Sequence, residues 1–79
     1  MTVGPLEHLA KVRRRKALSV RDLAREAGVA VSTISVLESG RGPTPNPRTV
    51  RRLSEALGID PAAVIEFRRS LGLDAPNVL

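Results

Sequence analysis

Apolar positions recur along the chain at helical spacing, and proline, glycine and capping residues cut the pattern into five short segments. The first is predicted to run from Pro5 to about Lys16, because Gly4-Pro5 sets a proline at the first helical position. Leu6, Leu9, Ala10 and Arg13 share one of its faces, and it ends in the basic run Arg13-Arg14-Arg15-Lys16. Ser19 is a good N-cap for the second segment, with Asp22 three residues on as its capping-box partner. Val20, Leu23, Ala24 and Ala27 make its apolar stripe, Arg21, Arg25 and Glu26 face outward, and Gly28 stops it. The third segment, Val31 to Ser39, follows at once, with Ile34 and Leu37 as its buried pair and Gly40 as its end.

Arg41-Gly42-Pro43-Thr44-Pro45 reads as a stiff loop. Asn46-Pro47 then supplies an N-cap and a first-turn proline for a fourth helix. That helix carries Thr49, Val50, Leu53, Ala56 and Leu57 inward, Arg48, Arg51 and Arg52 outward, and closes at Gly58. Asp60-Pro61 repeats the start signal for a fifth helix, with Val64, Phe67 and Leu71 inward and Gly72 as its end. No strand pattern, internal repeat or low-complexity tract interrupts this series. The prediction is an all-α chain: one domain over residues 1–72 and a short C-terminal tail over residues 73–79.

Length and composition narrow the function. A chain of 79 residues has room for one core, since a domain of this size buries only about 60% of the surface its unfolded form exposes. Phe67 is its lone aromatic, so that core is aliphatic. The absence of cysteine removes disulfides, thiolate nucleophiles and cysteine zinc sites together, and the single histidine, His8, makes no metal site. The glycines read as helix ends and not as a phosphate cradle. No nucleophile has a base partner, and no carboxylate pair falls in a plausible cleft. No enzymatic activity, cofactor or metal is expected.

Charge points to a partner. Thirteen Lys and Arg stand against eight Asp and Glu, a formal net charge of +5, and this balance favours a polyanion, nucleic acid before membrane surface. No apolar run approaches the about 20 residues of a membrane span, and no secretory leader is expected. The expected location is therefore the cytoplasm, with the nucleoid.

The second and third segments carry a specific physical arrangement. Two short helices joined by a tight glycine-containing turn form a unit whose second helix can enter a major groove. A small residue at Ala24 lets the helices cross closely, and Gly28 supplies the left-handed backbone that the sharp turn demands. Val29 plugs the angle between them, and Ile34 and Leu37 hold the second helix on the core. The stretch Leu18-Ser19, Leu23-Ala24, Gly28-Val29, Ser32-Thr33-Ile34-Ser35, Leu37-Glu38 and Gly40 resembles the phage repressor and Cro-type helix-turn-helix domains, also called xenobiotic-response-element-like regulators. The likeness continues through Thr49-Val50, Leu53, Ala56-Leu57-Gly58-Ile59 and Asp60. It implies a compact five-helix repressor-like DNA-binding domain with the helix-turn-helix at the second and third helices.

The resemblance also implies roles for single positions. Arg13 and Glu38 match a structural ion pair between the first helix and the end of the recognition helix. Phosphate contacts are implied at Ser19, Val20 and Arg21, at Arg41 after the third helix, and at Asn46 and Arg48 at the start of the fourth. Val31, Ser32, Ser35 and Val36 are implied to face the bases. The function implied is sequence-specific binding of double-stranded DNA by a homodimeric transcriptional regulator, a repressor.

Several residues depart from the family pattern. Val20 stands where many members carry a phosphate-binding glutamine, so that contact is either lost or reduced to the backbone N–H. Ala30 takes the place of the usual Ser or Thr cap, a loss of about 0.5–2 kcal/mol locally unless Ser32 takes over the cap with a shifted start. The recognition face holds no Arg, Lys, Asn or Gln, the side chains that make bidentate contacts to guanine or adenine. Readout by such a face leans on phosphate contacts and DNA shape.

Other readings stay open at this level. Arg14, Arg15 and Lys16 are either phosphate contacts or a solvated helix end complementing the helix dipole. Val36 either touches the groove or packs on Val31 or the neighbouring loop. Leu73, Val78 and Leu79 are either a frayed tail or a dimer patch together with Ile65 and Leu71. The cation-free face also suits a protein-interaction module on the same fold, such as an antitoxin binding a toxin or another regulator.

Overall fold

The computed structural model describes residues 6–73. Its elements are α1 (Leu9–Arg15), α2 (Val20–Ala27), α3 (Val31–Ser39), α4 (Pro47–Leu57), a 3-10 turn (Pro61–Ala63) and α5 (Ile65–Arg68). Local chemistry accounts for most of their ends. Ser19 Oγ accepts from the Asp22 N–H at 3.0 Å while the Ser19 N–H donates back to Asp22 Oδ2 at 3.3 Å, a complete capping box. Asn46 Oδ1 accepts from the Arg48 N–H at 2.7 Å with Pro47 in the first turn, and Asp60 Oδ1 accepts from the Ala62 N–H at 2.9 Å. Gly28 adopts φ 72°, a left-handed conformation costly for other residues, which lets α2 turn sharply into α3.

The inward residues of all five helices meet in one core. Leu9, Val12, Leu23, Ile34, Leu53, Val64 and Phe67 are fully buried, with Val50 and Leu57 almost so. Val20 and Val29 are half-buried against this cluster. Among the described residues no helix is long and apolar enough to cross a membrane.

Two predicted elements are corrected. The first helix begins at Leu9, well after Pro5, which lies outside the described residues. Leu6 is not part of it and is 48% exposed. Glu7 instead pairs with the far end of the domain: its N–H donates to the Ala63 carbonyl and its carbonyl accepts from the Ile65 N–H, both at 2.9 Å. The same pairing holds Val64 extended in an isolated parallel bridge with Glu7, so the fifth helix is split into a 3-10 turn and one α-turn. Leu71 lies beyond that last turn and is exposed, not inward. Val78 and Leu79 lie outside the described residues.

The start of α1 is therefore capped from a distance. His8, its N-cap, makes no side-chain cap bond, and the Leu9 N–H donates to Glu66 Oε1 at 2.7 Å. His8 Nδ1 lies 3.1 Å from the other oxygen of the same carboxylate. At the other end of α1, Arg15 pairs with Glu7 at 2.6 Å.

Two of these local contacts make stability pH-dependent. The Ser19 hydroxyl and N–H, with Arg25 nearby, hold the Asp22 carboxyl below its ordinary value, and the Arg15 guanidinium does the same for Glu7. A carboxyl lowered by folding contributes stability above its unfolded value and loses it as pH falls through the folded one. Thermal stability is thus expected to hold down to about pH 5 and to decline below about pH 4. Asp22→Asn should lower the melting temperature near neutrality and flatten the decline in acid. An unchanged acid slope in melts of the variant counts against this cap.

Candidate nucleic-acid interface

Three struts fix α3 against the rest of the molecule. Ile34 and Leu37 anchor its inner face in the core. At its C-terminal end Arg13 Nε donates to Glu38 Oε2 at 2.7 Å and Arg13 Nη2 to Oε1 at 3.0 Å. Arg13 Nη1 donates to the Leu18 carbonyl at 2.9 Å, so one guanidinium ties α1, α3 and the turn before α2. At the turn before α3, Arg52 Nη1 reaches from α4 to the Gly28 carbonyl at 3.3 Å. Arg52 reads from the sequence as a solvated residue; no spacing rule links it to a carbonyl 24 positions away.

The outer face of α3 is free. Val31, Ser32, Ser35 and Val36 are exposed, and the two valines are 43% and 44% accessible. Ala30 gives α3 no side-chain cap, and Ser32 lies inside the helix instead of capping it. The Ser39 hydroxyl is engaged by backbone: it donates to the Val36 carbonyl at 2.6 Å and accepts from the Arg41 N–H at 3.2 Å. The N-terminal turn of α3 therefore presents unpaired backbone N–H groups beside small hydroxyls and methyls.

The residues implied for phosphate are accessible. Ser19 and Arg21 are exposed at the start of α2, Arg41 is exposed in the loop after α3, and Asn46 and Arg48 are exposed at the start of α4. The Val20 side chain packs toward the core, so only its N–H at the helix start remains for an anion. Asn46 uses its carbonyl oxygen as a cap and keeps its amide donors. In the basic run at the end of α1, Arg13 is buried in its ion pair and Arg15 is paired with Glu7, while Arg14 and Lys16 are exposed.

This order of helices, with a left-handed glycine between α2 and α3 and an open face on α3, agrees with the comparison to known families. Residues 7–67 match the family described as helix-turn-helix domain. The chain belongs to this family. The resemblance read from Leu18 to Asp60 therefore holds, and the family is one of helix-turn-helix regulators, not of enzymes. Over 53 residues this helix-turn-helix domain is 40% identical to the HTH-type transcriptional repressor RghR of Bacillus subtilis (strain 168). Over 53 residues it is 36% identical to RghRB of the same organism, an uncharacterized HTH-type transcriptional regulator. The matched stretch is 67% of this chain but only 39% and 38% of those two proteins. No solved structure matches the chain.

Proposed function

We propose that this helix-turn-helix domain binds double-stranded DNA with α3 in the major groove and acts as a transcriptional repressor. The observation that carries the reading is the exposed, cation-free outer face of α3 in a helix-turn-helix pair, with arginines exposed at the start of α2, after α3 and at the start of α4. Val31, Ser32, Ser35 and the exposed part of Val36 face the bases. Ser19, the Val20 N–H, Arg21, Arg41, Asn46 and Arg48 hold phosphates. The relatives' names, a repressor among them, support the regulatory role. Serine and valine offer no bidentate base contact, so affinity rests on the phosphate contacts and selectivity on methyl contact and DNA shape. A two-fold dimer extends the reading to half-sites about one turn, ~34 Å, apart.

The test is selection of bound fragments from a randomised duplex pool at near-physiological salt. An enriched inverted repeat, with a centre-to-centre spacing of about one turn, is the expected result. Enrichment of a single half-site overturns the dimer. Binding without any enrichment overturns sequence-specific regulation, and no binding at all turns the cation-free face of α3 over to a protein partner.

A further inference from the structure

We propose that Val36 and Gly42 form a packing joint that sets the α3–α4 loop, and through it the positions of Arg41 and Asn46. The second half of this proposal rests on the DNA-binding reading above. Gly42 does not end a helix and is not in the left-handed region, so its backbone does not require glycine. Its requirement is steric. A Cβ placed there falls inside the van der Waals shell of Val36 Cγ1, and lies 3.5 Å from Val36 Cβ and 3.7 Å from the Val36 carbonyl. The loop backbone therefore rests directly on one side of a valine whose other side is open to solvent.

Pro43, Thr44 and Pro45 border two hollows that Val36 also lines. One, of about 170 Å³, opens toward His8, Glu66 and Arg69, and the other, of about 360 Å³, toward Ser32 and Thr49. Val36 and Leu37 line both. Ser39 adds a second tie just before the joint, since its hydroxyl joins the Val36 carbonyl to the Arg41 N–H. Both ties start on the last turns of α3, so the loop moves with that helix. Arg41 precedes the joint by one residue and Asn46 follows it by four, which places both phosphate candidates under its control. Ordering the loop before binding removes part of the cost of immobilising those side chains.

The test is a double-mutant cycle of Gly42→Ala and Val36→Ala in the full chain, with random-sequence duplex DNA as probe. Gly42→Ala drives a methyl into Val36; affinity is expected to fall about tenfold and the slope of log K against log salt to shrink by about one contact. Val36→Ala alone removes the support without displacing the loop, and is expected to lower random-sequence affinity severalfold, less than Gly42→Ala does. Combining the two vacates the space and restores both affinity and slope. A purely structural Gly42 would change the folded fraction and leave the salt slope as in the wild type.

Hydrogen exchange at the Arg41 N–H reads the joint without DNA. Gly42→Ala should speed that exchange, the double variant should slow it again, and the core amides of Leu23 and Leu53 should keep their protection. Failure of the second substitution to rescue exchange overturns the joint. Rescued exchange with an unchanged salt slope overturns its link to phosphate contact. Rescued exchange when no variant binds duplex, wild type included, leaves the joint standing and overturns the DNA-binding reading.

Discussion

Arg13→Ala is expected to cost about 3–5 kcal/mol of folding free energy, the range for breaking one side of a buried ion pair. The Arg13 and Glu38 side chains are only 10% and 14% exposed, and they meet in a two-pronged geometry that no water molecule would reproduce. Removing the guanidinium strands the Glu38 carboxylate and also leaves the Leu18 carbonyl without its donor. A domain of this size has about 0.05–0.15 kcal/mol of net stability per residue, so the loss takes much of the total. The pair itself adds far less than its rupture costs, because burying both charges is expensive. Arg13→Met combined with Glu38→Leu should therefore recover most of the stability lost by Arg13→Ala. Urea unfolding midpoints of the two variants decide the matter. A loss under about 1 kcal/mol for Arg13→Ala would reduce the pair to an ordinary surface contact.

Ser35→Glu is expected to abolish duplex binding, with affinity down at least about a hundredfold (~2.7 kcal/mol). Ser35 is exposed in the middle of α3, so the new side chain reaches no core residue. Glutamate is also a better helix former than serine, and the melting temperature should hold or rise. In the bound state, however, the carboxylate would sit between two phosphate backbones with no cation on its own face of α3 to offset it. Charge repulsion at that depth acts against every sequence, apart from a residual contact to a cytosine amino group. The check is titration of duplex DNA alongside a thermal melt. Binding retained by a folded Ser35→Glu variant removes α3 from the groove and with it the proposed interface.

Different residues show how far each level of information reaches. The limits of α3 and α4, and the N-cap of α2, follow from signals within a few positions of each helix end. Ser19 with Asp22, Asn46 with Pro47 and Gly28 act through bonds or dihedrals that their own backbone completes, so they read correctly from one chain. The fifth helix fails for an equally definite reason. Asp60-Pro61 does start a helical turn, but Val64 is drawn into a bridge with Glu7, and a pairing 57 residues away leaves no local trace. The same pairing holds Glu7 outside α1 and defeats the proline start signal.

The interface divides along the same line. Composition, the net positive charge and the spacing around Gly28 by themselves determined the helix-turn-helix pair, its two buried anchors on α3 and the cation-free residues that α3 turns outward. Each of these depends on helical periodicity or a single backbone conformation. Only the tertiary structure decided that Glu66 caps α1, that Arg52 reaches the Gly28 carbonyl, and that Gly42 lies against Val36 instead of ending a helix. These contacts join chain segments whose separation follows from how the helices cross. Their energies come from excluded water and shared space, which no periodicity along the chain encodes.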